Sequence, residues 1–194
     1  MHYLNKYKKE NDYKNLLILT LGMGFASCLT ALILKSKHSL KRIAKFEKVS
    51  FEQYKKDWLD MYPEDDEEKI REIYDSIKIP KRATMGSAGY DFFAPHDFTL
   101  KPGESIKILT GIRAKINDGW VLKNYPRSGL GFKFRLQLNN TVGIIDSDYY
   151  ISDNEGHIFA KVTNDTNEGK TVTISSGTGF MQGIFVEYGI TVDD

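Results

Sequence analysis

The sequence predicts an all-β domain preceded by two short helices and, ahead of those, a membrane-spanning helix. Three observations lead there. From about Ile79 onward, short runs rich in β-branched and aromatic residues alternate with Gly, Asn and Asp turns. Between residues 51 and 77 the apolar positions instead recur at helical spacing. Residues 15–34 contain no charged side chain at all.

That apolar run, Asn15 to Leu34, reads NLLILTLGMGFASCLTALIL. At about 1.5 Å per residue a helix of this length crosses a hydrocarbon core of about 30 Å. Lys14 and Lys35 bracket it, and both can reach the lipid–water interface. A signal peptide has a shorter apolar region ending at small residues, whereas here the run continues past Cys28 to Leu34. Lys35, Lys37, Lys41, Arg42 and Lys45 follow the span, and Lys6, Lys8, Lys9 and Lys14 precede it. The basic residues therefore favour, by a small margin, a single-pass protein whose C-terminal side is cytoplasmic.

The remaining elements follow in order. Residues 41–50, KRIAKFEKVS, predict a first strand. Phe51, Tyr54, Trp58 and Leu59 share one face of a helix. Pro63 with Glu64, Asp65, Asp66, Glu67 and Glu68 predicts the start of a second, with acids at its positive end and Ile70, Ile73, Tyr74 and Ile77 as its apolar stripe. Strands are then predicted at 97–100, 105–110, 112–116, 120–125, 141–145, 157–163, 171–175 and 180–187. No long helical crossover separates them, so the sheet pattern is that of a β-sandwich or barrel rather than a parallel α/β fold. Residues 1–40, 41–78 and 79–194 are the expected N-terminal segment, helical lead-in and β domain, the lead-in packing on the domain.

Composition narrows the function. A formal net charge of +1 gives no basis for a nucleic-acid partner. The single Cys28 forbids an intramolecular disulfide, and the four histidines lack metal-ligand spacing. The sequence contains neither a phosphate-binding G-x-x-x-x-G-K-[ST] nor a G-x-S-x-G elbow, and Gly177-Thr178-Gly179-Phe180 opens no predicted helix. Three segments carry chemistry instead. Ala88-Gly89-Tyr90-Asp91-Phe92-Phe93-Ala94 sets one acid in an apolar strand. Pro126-Arg127-Ser128-Gly129-Leu130-Gly131 offers a guanidinium, a hydroxyl and glycine-exposed N–H groups, a combination suited to phosphate oxygens. Asn139-Asn140-Thr141-Val142-Gly143-Ile144-Ile145-Asp146-Ser147-Asp148-Tyr149 reads as a strand ending in acids, with Asp146 and Asp148 on one face if it stays extended.

In this order the segments resemble the motifs of the trimeric dUTPase family, with Gly179-Phe180-Met181-Gln182-Gly183-Ile184-Phe185 as a fourth. The likeness covers residues 79–190. It implies a β-clip or jelly-roll-like barrel that assembles as a homotrimer, with active sites between subunits. It also implies a dUTP diphosphatase that uses Mg²⁺ and releases dUMP and pyrophosphate. Asp91 would hold the magnesium through water. Arg127, Ser128 and Gly129 would contact phosphate oxygens, and Gln182 would sit near the α-phosphate. Asn140 and the main chain at Gly143 would read the uracil edge. Asp146 would activate the attacking water, and Tyr149 would pack under the deoxyribose.

The family commonly ends in a mobile glycine-rich arm, whereas this chain stops at Val192-Asp193-Asp194. That leads to the expectation of a complete binding site with a slowed reaction, or of a dUTP-binding module without activity. A dCTP deaminase-like relative is the other alternative, disfavoured by the second and third motifs. Relatives also begin near Lys41, so a cytoplasmic protein starting near Leu40 is the alternative to the membrane form. Tyr150–Gly156 is longer than usual and is expected to form a hairpin loop in which Asp153 and Glu155 have no catalytic role.

Overall fold

The computed structural model describes residues 40–194. The expected membrane span at 15–34 lies outside the described residues. Among those described, no helix is long and apolar enough to cross a membrane.

In chain order the elements are β1 (Ala44–Lys48), α1 (Phe51–Leu59), α2 (Glu67–Ser76), β2 (Lys81–Arg82), β3 (Tyr90–Phe93), β4 (Phe98–Leu100), β5 (Ser105–Leu109) and β6 (Ile112–Ile116). They continue with β7 (Trp120–Pro126), α3 (Ser128–Phe134), β8 (Leu136–Leu138), β9 (Gly143–Ile145), a 3-10 turn (Asp148–Ile151), β10 (Phe159–Asn164), β11 (Val172–Ile174) and β12 (Gly179–Glu187). Every strand pairing is antiparallel. The largest sheet has the order β2-β3-β12-β7-β9, beside a three-stranded sheet β5-β10-β8 and the pairs β1-β6 and β4-β11. The domain is mostly β with two leading helices, as expected, but it also contains the short helix α3.

The core joins alternate residues of all four sheets, among them Phe92, Leu122 and Phe180 with Ile108, Leu136, Val162, Val172 and Ile174. β1 is fastened to the largest sheet by Phe46, whose ring lies 5.4–5.6 Å from Tyr90, Phe92 and Phe185. Such tilted and edge-on contacts add to the gain from burial alone.

The helical lead-in shows the expected stripe, with Phe51, Tyr54, Trp58, Ile70 and Ile77 buried. Leu59 is only half-buried. The second helix begins later than Pro63 suggested. Asp66 takes the N-cap, accepting from the Lys69 N–H at 2.8 Å, while Asp65 accepts from Trp58 Nε1 at 2.9 Å and from Lys69 Nζ at 2.7 Å. Those two acids are thus spent on the turn between helices, and residues 63–66 stay outside α2.

The segment after Tyr149 is a 3-10 turn and a tight return rather than an open hairpin loop. Glu155 accepts from both the N–H and the hydroxyl of Ser50, each at 2.7 Å, where Ser50 is also the N-cap of α1. Those bonds hold its carboxyl below the usual range. Its position has a structural task, joining the start of the helical lead-in to the return that follows the third motif.

His157 makes the second such joint. Its ring is fully buried, with Nε2 accepting from the Gly111 N–H at 2.8 Å and Nδ1 2.5 Å from Asp57 on α1. An accepting Nε2 fixes the neutral tautomer, so Nδ1–H donates to Asp57. Burial pushes the His157 pKa below 6.5, and Asp57 opposes that only in part. Because the folded value lies below the unfolded one, unfolding takes up a proton as the pH falls through about 6.5, and stability drops there. The expected melting temperature is level above pH 7 and declines between pH 6.5 and 5, before the carboxylates titrate. A level profile down to pH 5 would show that His157 is not the titrating group.

Candidate active site

The predicted site residues fall into two groups. The first lies on the largest sheet. Asp91 on β3 is directly opposite Gln182 on β12, which is opposite Tyr125 on β7. Arg127 follows immediately after β7 and turns back, its Nε 3.4 Å from Asp91 Oδ1 and its Nη1 3.4 Å from the Gly179 carbonyl. A Cβ at Gly179 would stand 2.7 Å from that Nη1, so the missing side chain makes room for the guanidinium. Gln182 donates from Nε2 to the Pro126 carbonyl at 3.4 Å. The Arg127 side chain is 42% exposed, so water screens its pairing with Asp91 and a more highly charged partner can replace it.

Ser128 and Gly129, for which the sequence pattern indicates no helix, are helical. They begin α3, with Arg127 at the N-cap and its carbonyl accepting from the Leu130 and Gly131 N–H groups at 3.1 and 2.9 Å. The helix ends at Arg135, whose φ of 50° is left-handed. A Cβ at Gly129 or Gly131 would meet nothing within 4 Å. Internal packing therefore does not demand glycine there, which leaves room for something outside the chain to approach the backbone.

The second group surrounds two adjoining cavities. One, of about 320 Å³, is lined by Asn140 and Gly143 together with Asn124, Leu138, Phe159 and Met181. The other, of about 690 Å³, is lined by Asp146, Asp148 and Tyr149. Ile144, Ile145 and Phe159 line both. The turn before β9 is tight: Thr141 has φ 65°, and the Val142 N–H reaches back to the Asn140 carbonyl at 2.7 Å. Asp146 and Asp148 do not reach their cavity by strand alternation. The strand stops at Ile145, Ser147 is helical, and Asp148 opens the 3-10 turn. Tyr149 is held at its hydroxyl, which donates to the His157 carbonyl and accepts from Asn154, each at 2.9 Å.

Asp91, Arg127, Ser128 and Gln182 line neither cavity. Within one chain the structure brings Asp91, Arg127 and Gln182 together, and Asn140, Gly143, Asp146 and Tyr149 together. Among the described residues, no cluster of three or more His, Cys, Asp or Glu side chains could cage a metal. The sequence reading passed over Asn124, Phe159, Lys107 and Lys161, all on the wall of the first cavity. Of these, Asn124 alone left a trace, as an amide in the middle of a strand.

Comparison with known proteins decides what this arrangement belongs to. The sequence model of the dUTPase family matches residues 75–193. The chain belongs to the dUTPase family. A deoxyuridine 5'-triphosphate nucleotidohydrolase of Lactococcus lactis is 45% identical over 113 residues, covering 58% of this chain and 74% of that protein. The corresponding protein of Finegoldia magna is 42% identical over 112 residues, covering 57% and 73%. The crystal structure of the dUTPase from Streptococcus mutans aligns with a TM-score of 0.55 at 31% identity, over 75% of this chain and 97% of that one. Membership accounts for the order of the four motifs. It leaves residues 51–74 of the helical lead-in ahead of the matched stretch, bound to it through Ser50 and Asp57.

Proposed function

We propose that this dUTPase cleaves dUTP to dUMP and pyrophosphate at a site completed between copies of the chain. The observation that carries the reading is the division of the site residues. One group offers a cation, a carboxylate and an amide to a triphosphate. The other offers a base-sized cavity beside a carboxylate free to hold water. A homotrimer that sets the first group of one copy against the second of its neighbour gives each substrate a whole site.

The residues have distinct tasks in this reading. Arg127, with Ser128 and the first N–H groups of α3, neutralises phosphate oxygens, because charge-assisted bonds from a guanidinium favour the charge spread over them in the transition state. Gln182 donates beside the α-phosphate. Asp146 has no side-chain partner among the described residues and lines the second cavity, where it orients and deprotonates the water that attacks the α-phosphorus. Tyr149, fixed at its hydroxyl, gives the sugar a rigid wall that leaves no space for a 2′-hydroxyl. Asn140 and the main chain of Gly143 bond the uracil edge.

The donor set fits Mg²⁺ held chiefly by phosphates and water. A single carboxylate, Asp91, lies in the phosphate group, and magnesium sites of that kind use one or two. When bound, the ion neutralises phosphate charge and fixes the oxygens.

The test is pyrophosphate release from dUTP, dCTP, dTTP and UTP by the full chain, with and without magnesium. Release from dUTP far faster than from the other three, and only with magnesium, is the expected result. Equal turnover of dCTP, or of UTP, would refute the assignment. The uncharged run at 15–34 and the lysines after it support a tether with the enzyme domain on the cytoplasmic side. The full chain should then float with phospholipid vesicles and, in detergent, sediment as three copies. A monomer in the aqueous fraction would contradict both the tether and the shared site.

A further inference from the structure

Asn124 has no task in the reading above, yet its placement is costly. It sits in the middle of β7, is 2% exposed, and is the only buried one among the polar residues lining the first cavity. Its Oδ1 has no hydrogen-bond partner. A buried amide left unbonded is a net loss to folding, and native chains rarely keep one without a use.

The surroundings are shaped to hold this amide. Its cross-strand neighbours in register are glycines on both sides, Gly183 on β12 and Gly143 on β9. A Cβ at Gly183 would stand 2.7 Å from Asn124 Oδ1, with Leu122 Cδ1 at 2.8 Å and Phe92 Cε2 at 3.0 Å from the same point. The oxygen thus lies beside the backbone C–H groups of Gly183, which are weakly positive. A Cβ at Gly143 would stand 3.6 Å from Asn124 Nδ2, which places the amide nitrogen toward the residue that lines the cavity. Exchanging the two atoms would set N–H groups against C–H groups and waste them.

We propose that Asn124 is a specificity-determining residue whose Nδ2–H donates to the C4 carbonyl oxygen of the pyrimidine. The inference rests on the reading that this cavity takes the base. A donor there accepts uracil, whose C4 carries a carbonyl, and opposes cytosine, whose C4 carries an amino group. Asn140 and the Gly143 main chain then engage the rest of the ring edge.

The experiment measures kcat/KM for dUTP and for dCTP, together with melting temperature, in N124L, N124A and N140A. N124L should melt at or above the parent temperature, because it removes an orphaned amide from an apolar wall. Its kcat/KM for dUTP should fall about tenfold, the worth of one bond to a buried donor, and its dUTP-to-dCTP ratio should fall at least as far. Parent-like kcat/KM and ratio in N124L overturn the proposal. A lowered melting temperature with equal losses on both substrates also overturns it, since that is what a purely structural amide gives. Should N124L not fold, N124A adds no bulk and the substrate ratio alone decides. A parent-like N140A would instead remove the base from this cavity and defeat the underlying reading with it. An impaired N140A beside an unaffected N124L defeats the Asn124 role alone.

Discussion

Replacing Asp146 by Asn should lower kcat for dUTP by roughly 10²–10⁴-fold, the range a positioned general base contributes. That corresponds to about 3–5 kcal/mol of transition-state stabilisation. The substitution keeps the shape of the side chain and removes its basicity. Asp146 is exposed at the end of β9, and its carboxylate makes no hydrogen bond or ion pair among the described residues. Its loss should therefore leave folding intact, and dUTP should still bind in the presence of magnesium. Titration calorimetry with D146N and steady-state pyrophosphate release separate the two effects. A loss under tenfold would remove Asp146 as the base.

The largest expected effect on stability comes from a residue that touches no substrate. Gly111 lies between β5 and β6 at φ +69°. Its N–H donates to His157 Nε2, and its carbonyl accepts from the Val49 N–H at 3.0 Å. A Cβ there would stand 2.3 Å from Ile77 Cδ1 and 3.3 Å from Tyr54 Cε2. G111A therefore combines a left-handed conformation, at about 1–2 kcal/mol, with overpacking, at about 1–3 kcal/mol. Together they should depress the melting temperature by on the order of 10 °C in a chain of this size. Well below that temperature kcat should stay near the parent value. A melting temperature within about 2 °C of the parent would mean that the helical lead-in shifts to accept the methyl.

The sequence made the local pieces legible where one physical signal dominated. β6 at Ile112–Ile116 alternates cleanly and is found where expected. α1 follows from its apolar stripe, and Ser50 caps it. The three chemical segments were readable because unusual residue types stand close together in a fixed order. α3 was missed because two glycines in seven residues argue against a helix, and its limits are set by Arg127 and the left-handed Arg135 instead. β8 was missed because Leu136-Gln137-Leu138 is too short to show a period until it pairs with β10. Asn124 was read as an ordinary strand position. Only the pairing of β7 with β9 and β12 puts glycines on both sides of it and a cavity in front. Roles that arise from partners distant in the chain, such as Glu155 on Ser50, have no local signal at all.

The position of β12 has a consequence for how the molecule is made. This strand lies between β3 and β7, at the centre of the largest sheet, and it follows the other four strands of that sheet in sequence. On the ribosome, β3 and β7 must wait with unpaired edges until about residue 187 has emerged, so the sheet closes late and in one step. The same closure sets Gln182 opposite Asp91 and the Gly179 carbonyl beside Arg127. Nascent chains halted short of β12 should expose strand edges to chaperones and aggregate in their absence, and none of them should hold the phosphate-binding group in place.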